Sequence, residues 1–240
     1  GFVVDVRDFS ASDVRPGAIL AGRYRVEGQI GAGGMGIVVS ARHLQLGQRV
    51  AIKYLPSSWL GDHDAVERFM REAWAAAQIK SPHVVRVSDV ANLPSGVPFI
   101  VMEYLEGEDL AHVLARHEPL PIAEVTELIL QVCEAIAEAH AIGIVHRDLK
   151  PSNIFCTRNL EGQRVAKVLD FGISKLTRDD FGQLGLTTTR TSLGSPAYMS
   201  PEQMHSSKEV DERTDIWALG VILYEMLAGR APFSAPNLPE

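Results

Sequence analysis

Residues 144–155 read Ile-Val-His-Arg-Asp-Leu-Lys-Pro-Ser-Asn-Ile-Phe, and residues 168–172 read Val-Leu-Asp-Phe-Gly. The first stretch packs His146, Arg147, Asp148, Lys150 and Asn153 between two apolar flanks. Core packing alone would not select so many polar groups there. Asp148 could accept a proton from a hydroxyl, and Lys150 could neutralise a phosphoryl group in transfer. Asn153 could ligate a hard cation, and Asp170 stands at the end of a predicted strand, just before Phe171-Gly172. A carboxylate and an amide oxygen are the ligand types that Mg2+ prefers.

Outward from this centre, the two sides have different textures. Residues 121–142 carry apolar positions at Val125, Leu128, Ile129, Val132, Ile136 and Ala139, a helical spacing, and 109–116 reads as a shorter helix. On the other side, Ile216–Gly229 (IWALGVILYEMLAG) is apolar apart from Glu225. It falls short of the ~20 residues of a bilayer span, so a buried core helix is expected. Towards the N-terminus the chain reads as short strands: YRVEGQI from Tyr24, GIVVSARHL from Gly36 and QRVAIKYL from Gln48. Glycines and the turn signal Leu46-Gly47-Gln48 separate them, which suggests an antiparallel meander. Residues 64–80 read as a helix with Val66, Phe69, Met70, Ala73 and Ala77 on one face, ended by Pro82. Two more strand-like runs follow, HVVRVSDV from His83 and PFIVMEYL from Pro98. A strand-rich first half and a helix-rich second half make an α+β pair of lobes, joined near Glu103–Gly107.

Three further features carry chemistry. Gly31, Gly33, Gly34 and Gly36 lead into Val38 between two predicted strands. Glycines let backbone approach a phosphate closely, although a plain glycine turn has the same composition. A dinucleotide fingerprint needs a helix straight after the glycines, and here a strand follows, which argues against a Rossmann fold. Lys53 sits in the strand VAIK, and Glu72 falls on the predicted helix in RFMREA. Brought together, the two would fix each other and aim an ammonium at a phosphate. Taken singly, each reads equally well as a surface residue.

Composition narrows the classes. The chain has 240 residues, 46% apolar and 22% charged, ordinary for a globular protein and unlike a disordered tail, a fibre or a disulfide-stapled scaffold. A net charge of −7 argues against a sequence-independent grip on nucleic acid. Cys133 and Cys156 both lie in apolar stretches, as buried thiols of a reducing cytosol do. The first residues, GFVVDVRDFSASD, carry Asp5 and Asp8 and lack a basic region followed by an apolar run, so no secretory signal is expected. A cytoplasmic location follows from these readings.

The glycine loop with Val38, the VAIK lysine, HRDLKPSN, DFG, SPE and DIWALG occur in the order and at the spacings of one family. From about Arg23 onward the chain resembles the eukaryotic-like (Hanks-type) Ser/Thr protein kinases, most closely their bacterial branch. The resemblance implies a bilobal protein-kinase fold: an N-terminal extension over 1–22, an antiparallel-sheet N-lobe over 23–105 and a mainly helical C-lobe over 106–240. It implies ATP and Mg2+ as cofactors, with Gly31, Gly33, Gly34 and Gly36 of the loop over the phosphates. Lys53, held by Glu72, would contact the α- and β-phosphates, and Asn153 and Asp170 would hold Mg2+. Asp148 would take the acceptor proton, and Lys150 marks the Ser/Thr type. Adenine would lie between Val38 and Ala51 on one side and Phe155 on the other, with Leu169 nearby and Met102 at the back. Backbone groups of Glu103 and Leu105 would bond its edge.

Arg147, preceding the catalytic aspartate, implies control by phosphorylation in the segment from Asp170 to Glu202. Thr187, Thr188, Thr189, Thr191 and Ser192 are the candidates there, Thr189 or Thr191 foremost. The chain departs from the family's GTPxYMAPE at Ser195 and Ser200, and Val39 replaces the usual aromatic, without loss of a catalytic group. The family's C-lobe continues beyond the equivalent of Glu240 and includes an arginine paired with the equivalent of Glu202, so the C-lobe is expected to be incomplete. Protein substrates with Ser or Thr acceptors are implied, and a homodimer through the strand-rich lobe is a family arrangement. Relatives often carry a membrane span after the kinase, and none is read in these residues. Competing readings are a pseudokinase or regulatory nucleotide-binding module, an inactive fragment, and a lipid or small-molecule kinase. The intact Lys53, Glu72, Asp148, Asn153 and Asp170 speak against the pseudokinase reading. Lys150 and the segment ending in SPE speak against the lipid or small-molecule kinase.

Overall fold

A computed structural model describes residues 14–33, 36–55, 62–93, 96–116, 120–171, 196–205 and 210–233. The chain divides into two compact units, one of Gly1–Ala77 with Arg86–Leu105, the other of Gln78–Val85 with Glu106–Glu240.

In the first unit the alternation of apolar residues builds an antiparallel sheet. Its strands are β1 (Ile19–Leu20), β2 (Tyr24–Gly33), β3 (Gly36–His43), β4 (Arg49–Tyr54), β5 (Val87–Asn92) and β6 (Pro98–Glu103), in the order β1-β2-β3-β4-β6-β5. Between β3 and β4 the chain reverses at Gly47, where φ is 67° and the N–H donates to His43 O at 2.8 Å. Register then assigns the faces. Val39, Ile52 and Val101 lie opposite one another and, with Val26, Ala41, Tyr54 and Phe99, fill one core. The alternate positions Val38, Lys53 and Ile100 form a row on the other face, as do Ser40, Ala51 and Met102.

Helix α1 (His63–Gln78) buries Ala65, Phe69, Glu72, Ala73, Ala75 and Ala76. This stripe is rotated from the expected one: Phe69 and Ala73 are inside, whereas Met70 and Ala77 are exposed. Glu72 takes a central place in the buried face, and at ~100° per residue the stripe through 65, 69, 72, 73 and 76 cannot also include 70 and 77. Phe69 and Ala73 meet Leu55 and Ile100 in a second, smaller core.

The run from His83 does not form one strand. Its second part is β5, while Val84 bridges Val168 in parallel and Val85 N–H donates to Val168 O at 3.0 Å. Val168 N–H in turn donates to His83 O at 2.7 Å. These bonds assign 83–85 to the second unit, so the continuous 23–105 segment read from the sequence is interrupted at 78–85. Burial of Val84 and Val85 there satisfies the same apolar pattern that a single strand would.

The second unit contains β7 (Glu108–Asp109), α2 (Leu110–Ala115), α3 (Ile122–Ala141), β8 (Ile154–Arg158), β9 (Arg164–Val168), α4 (Pro201–His205) and α5 (Arg213–Ala228). Asp109 caps α2 by accepting from His112 N–H at 2.9 Å. Every apolar position expected of the long helix is buried in α3, with Ala135 added. It packs against β9 and α5. Of the three-stranded sheet β7-β8-β9, only the strand ahead of Asp170, β9, was expected from the sequence. At Gly107 φ is 144°, and a Cβ would run into the carbonyl of Cys156 on β8, so the approach of these strands requires glycine. Helix α5 buries Thr214, Asp215, Ala218, Leu219, Val221, Ile222 and Met226. Ile216, Tyr224 and Leu227 are exposed, so the expected core helix is buried on one side only. Among the described residues no helix is long and apolar enough to cross a membrane. Cys133 and Cys156 are free thiols.

Candidate functional site

In the first unit, Lys53 on β4 and Glu72 on α1 are joined by an ion pair, Nζ to Oε1 at 2.7 Å, with side chains only 5% and 6% exposed. The sheet explains the meeting. Lys53 occupies the face on which α1 packs, and the α1 stripe carries Glu72 to the same face. Val38, directly opposite Lys53, and Ala51, directly opposite Met102, share that face. Gly31 lies opposite Val38, and Gly33 opposite Gly36. Gly36 has φ of 139°, and a Cβ there would stand 2.6 Å from Tyr54 O, so this turn into β3 requires glycine. Gly34 lies outside the described residues. Glu103 closes β6 with a double tie to Arg86: its Oε1 accepts from Arg86 N–H at 2.8 Å, and its own N–H donates to Arg86 O at 3.0 Å. Leu105, partly buried, is the last residue of the unit.

In the second unit the polar stretch folds onto itself. Lys150 Nζ is 3.0 Å from Asp148 Oδ2. Asn153, at the end of a 3-10 turn opened by Pro151, donates its Nδ2 to Asp148 O at 2.8 Å and approaches Asp148 Oδ2 at 3.4 Å. With the amide nitrogen turned to Asp148, the Asn153 Oδ1 is the atom left to face a cation, and a hard oxygen suits Mg2+. Asn153 O also accepts from Leu169 N–H at 2.9 Å, which ties the 3-10 turn to the end of β9. Asp170 follows with φ of 47° and an exposed side chain. Phe155, on β8, pairs with Lys167 and is partly buried. Phe171 is fully buried, its ring 4.8 Å from that of His146. His146 in turn meets Leu169 O through Nε2 at 2.9 Å.

A residue seen in the sequence only as part of DIWALG anchors this loop from below. Asp215, in the first turn of α5, is 1% exposed. Its Oδ2 accepts from His146 N–H at 2.8 Å, and its Oδ1 from Arg147 N–H at 2.8 Å. His140, at the end of α3, meets Oδ2 at 2.8 Å through Nε2. Arg147 has φ of 66°, and burial lowers its pKa from the ordinary arginine value, partly offset by Asp215. The signal for Asp215 was a carboxylate placed one residue before a long apolar run. His140 had no signal beyond its type. Gly172, Ser195 and the five hydroxyl residues from Thr187 to Ser192 lie outside the described residues.

Residues 24–239 match a family model described as "Protein kinase domain". The chain is 42% identical over 226 residues to "Serine/threonine-protein kinase pkn3" of Myxococcus xanthus, covering 94% of this chain and 41% of that protein. It is 40% identical over 225 residues to "Probable serine/threonine-protein kinase PknB" of Lactococcus lactis, covering 93% of this chain and 34% of that one. It therefore spans well under half the length of these curated relatives. Among solved structures, the PknI kinase domain of Mycobacterium tuberculosis superposes with a TM-score of 0.70 at 29% identity, covering 94% of this chain and 82% of the other.

Proposed function

This chain belongs to the protein kinase family, in its bacterial Hanks-type serine/threonine branch, and from that premise we propose that it transfers the γ-phosphoryl group of ATP to serine and threonine hydroxyls of proteins. The observation that carries the reading is the Asp148 carboxylate held by Lys150 at 3.0 Å beside the Asn153 amide. The acceptor oxygen forms a bond to the γ-phosphorus as the bond to the β–γ bridging oxygen breaks and ADP departs. The hydroxyl proton passes to Asp148. Lys150, paired with Asp148, carries the positive charge that meets the transferring phosphoryl group.

The roles of the remaining residues are those the family resemblance implies, and the chemistry of each suits its role. Lys53, fixed by Glu72, presents its ammonium to the α- and β-phosphates, and Gly31, Gly33, Gly34 and Gly36 give the loop its close approach. Val38, Ala51, Met102, Phe155 and Leu169 offer apolar contact to the adenine, and backbone groups of Glu103 and Leu105 bond its edge. Asn153 and Asp170 would hold Mg2+, which would supply positive charge to offset that of the phosphates. Arg147, half-buried beside Asp215, is the cation that a phosphorylated threonine of 187–191 would neutralise. The residues whose loss would favour a binding module, Lys53, Glu72, Asp148, Asn153 and Asp170, are all present.

Intact-mass measurement after incubation with MgATP and a generic protein acceptor tests the reading. Phosphate additions by the parent and their loss in Asp148→Asn are expected. Additions that persist in Asp148→Asn, or a parent that phosphorylates neither itself nor the acceptor, would overturn it.

A further inference from the structure

Ser200-Pro-Glu-Gln203 opens α4, and its bonding goes beyond a helix start. Met204 N–H donates to Ser200 O at 3.2 Å, which makes Ser200 the cap residue. Gln203 N–H donates to Ser200 Oγ at 3.4 Å, and Ser200 N–H donates to Gln203 Oε1 at 3.2 Å. This reciprocal pair is a capping box, in which glutamate serves as well as glutamine and adds a favourable charge at the helix start. Glutamine differs in one respect: its Nε2 is a donor, and here it donates to Arg147 O at 2.8 Å.

That carbonyl belongs to the peptide joining Arg147 to Asp148. The same peptide's N–H, on Asp148, donates to His146 Nδ1 at 3.3 Å. Arg147 stands at φ of 66°, a conformation that a non-glycine residue keeps only when its surroundings over-determine it. Its N–H is taken by Asp215, its carbonyl by Gln203. The cap is itself tied to the helix that carries Asp215, since Ser200 Oγ and Thr214 Oγ1 are 2.8 Å apart and both residues are buried. Arg147, Asp148, Lys150, Tyr198, Gln203 and Asp215 line one depression of the second unit.

We infer that Gln203 is a positioning residue: its amide fixes the Arg147–Asp148 peptide, and so makes the aim of the Asp148 carboxylate depend on the segment 196–203. The inference rests on the reading of Asp148 as the proton acceptor. It also accounts for glutamine at a place where capping alone would be met by glutamate.

The test compares the parent with Gln203→Glu, which keeps the capping acceptor and loses the donor, and with Ser200→Ala, which loses the cap oxygen and keeps the donor. Gln203→Glu is expected to lower kcat by about tenfold to a hundredfold, with the KM for ATP within about twofold of the parent. The Arg147 carbonyl 13C and Asp148 amide 15N resonances shift with it. Ser200→Ala is expected to lower Tm by about 2–6 °C while keeping kcat within about threefold and leaving both resonances in place. A Gln203→Glu enzyme with parental kcat would overturn the inference, as would an unmoved Arg147 carbonyl resonance or activity lost only in step with Tm in both variants. If the parent transfers no phosphate, the reading of Asp148 falls, and the positioning role is decided by the two resonances alone.

Discussion

Replacing Glu72 by leucine removes the carboxylate from a pair that is 2.7 Å long and almost fully buried. At an effective dielectric constant near 20, the attraction at that distance is roughly 6 kcal/mol. The desolvation of two ions, each several kcal/mol, takes most of it back, so the pair itself contributes little net stability. Removing one partner is a different matter, because it takes from a buried ammonium a carboxylate 2.7 Å away and costs roughly 3–5 kcal/mol. For a chain of this size, at about 2–4 °C per kcal/mol, Tm should fall by roughly 6–20 °C in Glu72→Leu and in Lys53→Met. The double variant Lys53→Met/Glu72→Leu replaces the pair by apolar groups of similar volume and should melt near the parent. Phosphoryl transfer should drop on the order of a hundredfold or more in all three, because the ammonium or its aim is lost. Scanning calorimetry and intact-mass assays on the same preparations read the two effects separately. A double variant that transfers phosphate at the parental rate would refute the assignment of Lys53, and a Glu72→Leu protein that melts with the parent would refute the energetics.

Three other perturbations follow from the geometry. Gly107→Ala forces a Cβ against the Cys156 carbonyl at φ of 144°, and thermal melting should register a loss of roughly 1–3 kcal/mol or more. Asp215→Asn removes the charge from an acceptor of the His146 and Arg147 N–H groups, and urea unfolding should show a loss of about 2–4 kcal/mol, with a matching fall in phosphoryl transfer. Burial pushes the Cys156 thiol up to about 11 from 9.0, so the folded protein binds that proton more tightly than the unfolded chain. The stability this confers is fully present below pH 9 and is lost as pH rises from 9 through 11, by up to roughly 3 kcal/mol; thiol titration of native against unfolded protein should show the native Cys156 reacting more slowly at pH 9.

Much of the architecture was legible from turn signals and helical spacing. The strands from Tyr24 to Tyr54 are rich in β-branched residues and punctuated by glycines, and α3 repeats its apolar residues at helical spacing, so the meander and the buried face of α3 could be read. Three elements were misread for distinct physical reasons. The α1 stripe was rotated because a buried carboxylate, Glu72, occupies a place that patterning reserves for an apolar side chain. The run from His83 was taken as one strand because Val84 and Val85 satisfy an apolar pattern whichever sheet they join. The strand ahead of Asp170 was read, and is β9, but its pairing with β8 was missed because Ile154–Arg158 is short and mixes apolar with polar residues, and the connection to Arg164 carries no turn signal as strong as an Asn-Gly.

The site divides in the same way, between what side chains must be and what backbone must do. Asp148, Lys150 and Asn153 offer chemistry that few side chains can perform, so their type and spacing marked them, whereas Lys53 read equally well as a surface residue until the family resemblance singled it out. The groups that hold them act on atoms every residue possesses. Asp215 reaches Arg147 through its N–H, Gln203 reaches it through its carbonyl, and Asn153 is bound to Leu169 through main-chain atoms. Such bonds impose no requirement on the residue that receives them; for Asp215 and Gln203 the requirement falls on a side chain 68 and 56 positions away whose local sequence has its own sufficient explanation. Asp215 reads as a helix-start carboxylate and Gln203 as a capping residue, and both are those things. Only the structure, in the left-handed φ at Arg147 and in its hydrogen bonds, reveals that the two helix starts also converge on one residue, the neighbour of Asp148. A strained backbone torsion is thus the better guide to supporting residues here than any side-chain pattern, because strain must be met by neighbours wherever in the chain they come from.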